Sequence, residues 1–248
     1  MHAQLSRDPL FPSGGVVVVN RGLVDAPGPF QATATAFRLV PSFQELPQSP
    51  PFAAAVGAVP ASSAVRLAAA LSWPAGARAG ETLLWRVDLT GAGGALVSRS
   101  EYLLSSLETN ISASGAPSLR EASDARYAQP LLSLAAAAAG AVSDDGLSLR
   151  VSVNVTLPAS APRAAIAVRV SLRNPAAAVT AATGFVDDRV LPQLPDGGYF
   201  SLLPGETRAV AIDCGAQGAL DSLHVVVDGW NAQETNSTVI MVSGAVRR

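Results

Sequence analysis

The chain has 248 residues, of which 49% are hydrophobic, 15% charged and 5% aromatic, and its formal net charge is −2. That length admits one large domain or two of ordinary size, and all the basic residues are arginine without any basic surplus, which leaves no electrostatic footprint for a nucleic-acid partner. A single cysteine, Cys214, excludes an internal disulfide framework and a thiolate zinc site, and reads as a small buried apolar side chain.

Taken in chain order, the opening MHAQLSRDPLFP has no apolar h-region, so no signal peptide is expected in it. From there the periodicity is two rather than 3.6. In AVRLAAALSW, Val65, Leu67, Ala69, Leu71 and Trp73 fall on one face. In TLLWRVDL, Leu83, Trp85, Val87 and Leu89 point one way, and Arg86 and Asp88 the other. The Pro- and Ala-rich stretch from Pro41 to Pro60 reads as a loop within this first region. From Ser105 to Gln129 the alternation lapses, which predicts a linker or long loop over 106–129.

Alternation then resumes. Leu134 to Ala139 is expected to be a strand of a hairpin closed at Asp144-Asp145-Gly146, although alanine intrinsically favours helix. LSLAAAAAGAV is too short for a bilayer span, so no membrane partner is expected. In LRVSVNVTL, Leu149, Val151, Val153, Val155 and Leu157 point inward while Arg150, Ser152, Asn154 and Thr156 point outward. In AIAVRVSLR, Ile166, Val168, Val170 and Leu172 oppose Arg169, Ser171 and Arg173. Turn signals at Gly91-Ala92-Gly93-Gly94, Asn174-Pro175, Asp196-Gly197-Gly198 and Pro204-Gly205 separate such runs. Short one-sided strands with frequent turns predict an all-β chain of two immunoglobulin-like antiparallel β-sandwiches in tandem, over 1–105 and 130–248.

Residues for catalysis are scarce. The two histidines, His2 and His224, have no companions at metal-ligand spacing, no G-x-S-x-G turn accompanies them, and neither a P-loop nor a dinucleotide fingerprint is present. No metal, cofactor or catalytic residue is assigned. The adjacent acids Asp144-Asp145 and Asp187-Asp188 read as solvated turn residues rather than the carboxyl pair of a glycosidase. Trp85 belongs to the core, Trp73 ends a strand, and Trp230 and Tyr199 are the candidates for surface aromatics. Asn110, Asn154 and Asn236 begin N-x-[ST] sequons, which would be acceptors if the chain enters a secretory pathway. Nothing in the sequence fixes a compartment.

One stretch carries more than its chemistry. RVLPQLPDGGYFSLLPGETRAVAI, Arg189 to Ile212, followed by HVVVDGWN, His224 to Asn231, resembles the last immunoglobulin-like domain of family 2 glycoside hydrolases of the exo-β-glucosaminidase and mannosylglycoprotein endo-β-mannosidase type. The matching positions are Tyr199, Phe200, Pro204, Gly205, Glu206, Gly229, Trp230 and Asn231. GVVVVNRGLVDAPGPFQATATAFRL, Gly15 to Leu39, and ETLLWRVDLTGAGGALVSRSEYLLSS, Glu81 to Ser106, are similar to the start and end of the preceding sandwich in that family. Glu101 and Leu103 stand where the pattern prefers aromatics, and Gly197-Gly198 where it prefers Asp-Asn.

The resemblance implies that the two catalytic glutamates of such an enzyme lie on a (β/α)8 barrel, which needs ~250 residues of its own. None of the residues here corresponds to them. The expectation is therefore a non-catalytic accessory region of a carbohydrate-metabolising glycosidase. Its partner would be that barrel, in the same chain or a separate one, with an oligosaccharide as a second candidate partner. The alternative is a free-standing carbohydrate-binding or adhesion module, which the fold alone does not exclude.

Overall fold

The computed structural model describes residues 1–6, 15–39, 43–48, 51–78, 81–105, 131–143, 146–174, 179–180, 186–216 and 223–241. The chain divides into two compact units, Met1–Ala125 and Arg126–Arg248, both built of strands. The expected linker over 106–129 lies outside the described residues.

The first unit contains β1 (His2–Ser6), β2 (Gly15–Asn20), β3 (Phe30–Arg38), β4 (Gln44–Leu46), β5 (Phe52–Val56), β6 (Ser63–Ala70), β7 (Thr82–Thr90) and β8 (Leu96–Ser105). One sheet has the order β1-β2-β6; the other runs β4-β3-β7-β8, with β5 also paired to β3. Their inner faces meet in a core that includes Val16, Val18 and Leu67 from the first sheet and Ala32, Ala34, Leu83, Trp85, Val87 and Leu89 from the second. The Trp85 ring lies 5.7 Å from that of Trp73, which packs against the same core. The alternation of β7 is as expected, but Leu84 and Arg86 on its other face are also buried. Arg86 tolerates this position because it pairs with Glu101 at 2.9 Å and lies 5.8 Å over the Phe37 ring.

Two expectations for this unit need correction. The stretch from Pro41 to Pro60 is not simply a loop, because β4 and β5 form there against β3. The three residues of β4 are too few for a period to register, and β5 is a run of three alanines between Phe52 and Val56. Ala69 is exposed while Leu67 and Leu71 are buried, since the β2–β6 register shifts between Val17↔Arg66 and Gly15↔Ala70.

The second unit contains β9 (Ala135–Val142), β10 (Ser148–Thr156), β11 (Ala165–Arg173), β12 (Val179–Thr180), β13 (Val186–Asp187), β14 (Gln193–Pro195), β15 (Phe200–Leu202), β16 (Thr207–Gly215), β17 (His224–Gly229) and β18 (Ala232–Met241). Eight of them follow the order β14-β16-β10-β9-β18-β17-β11-β15, and β12 pairs with β13. All pairs are antiparallel except β18 with β9, which joins the two layers. Strand β10 shows the expected alternation without a break, with Leu149, Val151, Val153 and Val155 in the core. The alanine-rich β9 is a strand because it is hydrogen-bonded on both sides, by β10 and β18, and tertiary pairing overrides helix propensity. Its Gly140 leaves room for β18: a Cβ there would stand 2.9 Å from Met241 Sδ and 3.0 Å from Val239 Cγ1. Of the hairpin closure, Asp144 and Asp145 lie outside the described residues, while Gly146 has φ +69° and donates to the Ser143 carbonyl at 2.9 Å.

In the first unit, Arg38 at the end of β3 forms an ion pair with Glu81, which directly precedes β7, and donates to the Gly76 carbonyl at 2.6 Å. The Glu81 carboxylate also accepts the Arg78 backbone N–H at 2.7 Å. Burial pushes the Glu81 carboxyl up, but the hydrogen bonds from Arg38 and Arg78 and the charges of both arginines outweigh it and hold the acid below its ordinary value of 4.5. An acid held down in the folded state stabilises the fold above its unfolded pKa, and that stability is lost as pH falls through the folded value. Urea denaturation below pH 4.5 is therefore expected to show the first unit weakening with acid. Glu81→Gln should be less stable at neutral pH and flatter across the acid range; an unchanged acid slope would contradict the assignment.

Candidate functional site

The distinctive motifs of the sequence converge on the second unit. Pro204-Gly205 forms the turn between β15 and β16, and Gly205 has φ +86°, a conformation that requires glycine. The Leu203 N–H donates to Glu206 Oε2 at 2.8 Å, and the Glu206 N–H to the Leu203 carbonyl at 2.9 Å. The same turn clasps the end of β10: Gly205 N–H donates to the Leu157 carbonyl at 2.9 Å, and Leu157 N–H to the Glu206 carbonyl at 3.0 Å. Phe200 is buried in the core and lies 4.7 Å beneath the Arg208 guanidinium.

The second motif is a clamp. Asn231 is only 2% exposed. Its Oδ1 accepts the Ile166 backbone N–H at 2.9 Å, and its Nδ2 donates to the Ala164 carbonyl at 2.9 Å. The adjacent Trp230 N–H donates to the Ile166 carbonyl, also at 2.9 Å. These bonds satisfy the start of β11 where its register against β15 shifts between Ala165 and Val168 and Ala167 has φ +51°. The shift corrects an expectation: Ala165, not Ile166, joins the core cluster, because the bulge rephases the strand by one residue. Gly229 suits the close approach, since a Cβ would stand a tight 3.2 Å from the Ile166 carbonyl oxygen and 3.3 Å from Ala232 Cβ.

Around this clamp the outer face of the sheet carries a cluster of a different character. Strands β15, β11 and β17 are successive neighbours. Phe200 is the register partner of Val168 and Asp228 of Arg169, so Tyr199, Arg169 and Asp228 run as a row across the three strands. At ~4.8 Å between strands the row is about 10 Å long. Arg169 Nη2 donates to Asp228 Oδ2 at 2.6 Å, and this bond, more than the burial that opposes it, raises the guanidinium pKa, with the Tyr199 phenol a further hydrogen-bonding neighbour. Trp230 follows Asp228 by two residues in the turn to β18. Tyr199 is 68% and Trp230 42% exposed, as expected for surface aromatics. Arg169 and Asp228 were not marked by the sequence as a site; only strand register brings them beside Tyr199.

Elsewhere among the described residues several charged groups are paired with one another. Asp88 pairs with Arg99, Glu101 with Arg86, Asp188 with Arg173 and Asp213 with Arg150. The Asp196 carboxylate accepts the Ala211 N–H at 2.9 Å, which fixes the turn before Tyr199. Among the described residues no group of three or more His, Cys, Asp or Glu could hold a metal ion. His2 contacts Gln4, and His224 is half-buried at the start of β17 opposite Arg173. Burial pushes the thiol pKa of Cys214 up, assisted by Asp213, so this cysteine is a core side chain rather than a nucleophile. Asn154 and Asn236 are exposed on β10 and β18, and Asn110 lies outside the described residues.

A residue of comparable role was missed in the first unit. Asn20, 4% exposed, directs Nδ2 to the carbonyls of Val24, Val59 and Pro60 at 2.9, 3.1 and 3.1 Å and accepts the Gly22 N–H at 3.0 Å. Its only signal in the sequence is a polar residue directly closing a run of four valines.

Compared with solved structures, the chain has the fold of part of the exo-chitosanase CsxA of Amycolatopsis orientalis, with a TM-score of 0.71 at 20% identity, covering 96% of this chain and 26% of that one. A complex of that enzyme with PNP-β-D-glucosamine gives a TM-score of 0.70 at 21% identity, with the same coverage. The chain thus spans about a quarter of that protein's length. No family model and no curated protein sequence matches the chain.

Replacing Asn231 by alanine leaves the buried Ile166 N–H and Ala164 carbonyl unpaired. The expected loss is ~2–4 kcal/mol, from two buried groups at roughly 1–3 kcal/mol each with partial relaxation. Urea denaturation followed by tryptophan emission reads it, and a loss below ~0.5 kcal/mol, the range of an ordinary surface substitution, would show that the clamp carries no stability.

Proposed function

We propose that these sandwiches form a non-catalytic accessory region of a family 2 glycoside hydrolase, of the exo-β-glucosaminidase or β-mannosidase type. The observation that carries the reading is the fold match over 96% of this chain to only 26% of an exo-chitosanase. The ordered sequence motifs from Gly15 to Asn231 support it, and so does the geometry of the carboxylates. A glycosidase needs two carboxyl groups facing across a cleft, whereas Glu81, Asp88, Glu101, Asp188, Asp213 and Asp228 are each bonded to an arginine.

In this reading the catalytic (β/α)8 barrel is the partner, in the same polypeptide or as a separate chain. The sandwiches would present apolar surface to it. Leu23 and Val24 in the first unit, and Leu191 and Leu194 in the second, are each more than half exposed and are side chains of the kind such docking would cover. The purified 248-residue chain is expected to release no p-nitrophenol from PNP-β-D-glucosaminide or PNP-β-D-mannoside. Sustained turnover by the pure chain, abolished by a single carboxylate substitution within it, would contradict the reading.

A further inference from the structure

We propose that Tyr199, Arg169, Asp228 and Trp230 form a binding platform for a hexopyranose residue of a saccharide. The chain has only 13 aromatic residues, 3 Trp, 3 Tyr and 7 Phe. Among the described residues Tyr199 and Trp230 alone of these are exposed; Tyr199 immediately precedes β15 and Trp230 immediately follows β17, the two strands that flank β11. An aromatic ring left in water forgoes the burial that a core would offer it, so two of them beside one ion pair form a composed surface.

The chemistry suits a sugar. A pyranose ring presents an apolar face of C–H groups that stacks on an aromatic ring, and an edge of hydroxyls that both donate and accept. Trp230 and Tyr199 offer the rings. Arg169 offers donors in one plane, and Asp228, bonded to it at 2.6 Å, offers acceptor oxygens. The row from Tyr199 to Asp228 spans three strands, about 10 Å, which accommodates one pyranose and part of its neighbour. The platform is anchored from beneath: Phe200 is in the core next to Tyr199, and the Trp230 backbone is bonded to Ile166 while Asn231 holds the adjoining turn. Its side chains therefore sit on fixed backbone without depending on a loop to close. Phosphate-bearing ligands fit poorly, because the Arg169 charge is matched by Asp228 and exposed Glu234 lies on the adjacent strand.

The platform does not depend on attachment to a barrel, so it can fail or hold independently of the accessory role. The test is calorimetric and fluorescence titration of the 248-residue chain with a chitosan tetrasaccharide and with mannotetraose. Trp85 is in the core and Trp73 packs against it, so a saccharide seated on the sheet should perturb the emission of Trp230. Saturable binding of at least one probe is expected. Trp230→Ala and Tyr199→Ala should each weaken it roughly tenfold, the loss of one aromatic stacking surface. Trp230→Phe, which keeps an aromatic face, should retain most of it. Circular dichroism melts identify variants that keep the parent fold. The proposal is overturned if neither probe saturates the parent chain, or if variants that melt like the parent bind like it.

Discussion

The carboxamide of Asn231 holds the second sandwich at its most demanding point. Strand β11 must pair with β17 on one side and β15 on the other, yet its register slips near Ala167, where φ is positive. A slip of this kind leaves backbone groups without ladder partners in a buried place, and such groups cost free energy unless something else bonds them. Asn231 supplies an acceptor to Ile166 and a donor to Ala164 from one planar group, and the Trp230 N–H supplies the next. Aspartate could not donate, and glutamine would be a methylene too long for the same contacts. The glycine at 229, the exposed ring at 230 and the buried amide at 231 are thus three consequences of one turn fitting over one bulge.

Much of the architecture follows from alternation with period two. Strand β10 shows why: it is a central strand with one face in the core and one in water, so each residue's environment is set by its parity. Parity stops being informative where register slips, as at Ile166 and Ala69, because the slip is fixed by partners distant in the chain. The Ile166 amide is bonded by a side chain 65 residues away. The sequence also understates short strands such as β4 and β5, which exist because β3 offers them an edge. The alanine-rich β9 was legible only by setting its flanking turn against its helix propensity.

The candidate surface was half legible. Tyr199 and Trp230 could be marked as outward aromatics from their places beside turns. Arg169 and Asp228 could not be joined to them, since they are 59 residues apart and meet through the β11–β17 register. The buried amide of Asn20 was opaque for the same reason, as its acceptors at Val59 and Pro60 lie across the first unit. Both buried asparagines do the same physical work, closing backbone irregularity at the end of a strand. They separate the residues that make the fold from the outer-face residues that could meet a ligand.

The proposed role of these sandwiches is to serve a catalytic barrel. The most direct measurement is the size of the native product, read by blotting cell extract with an antibody raised against this chain. A band several-fold above 25.2 kDa is expected, or a 25.2 kDa band that co-migrates on a native gel with a separate barrel-bearing subunit. A 25.2 kDa species migrating alone under native conditions would contradict it.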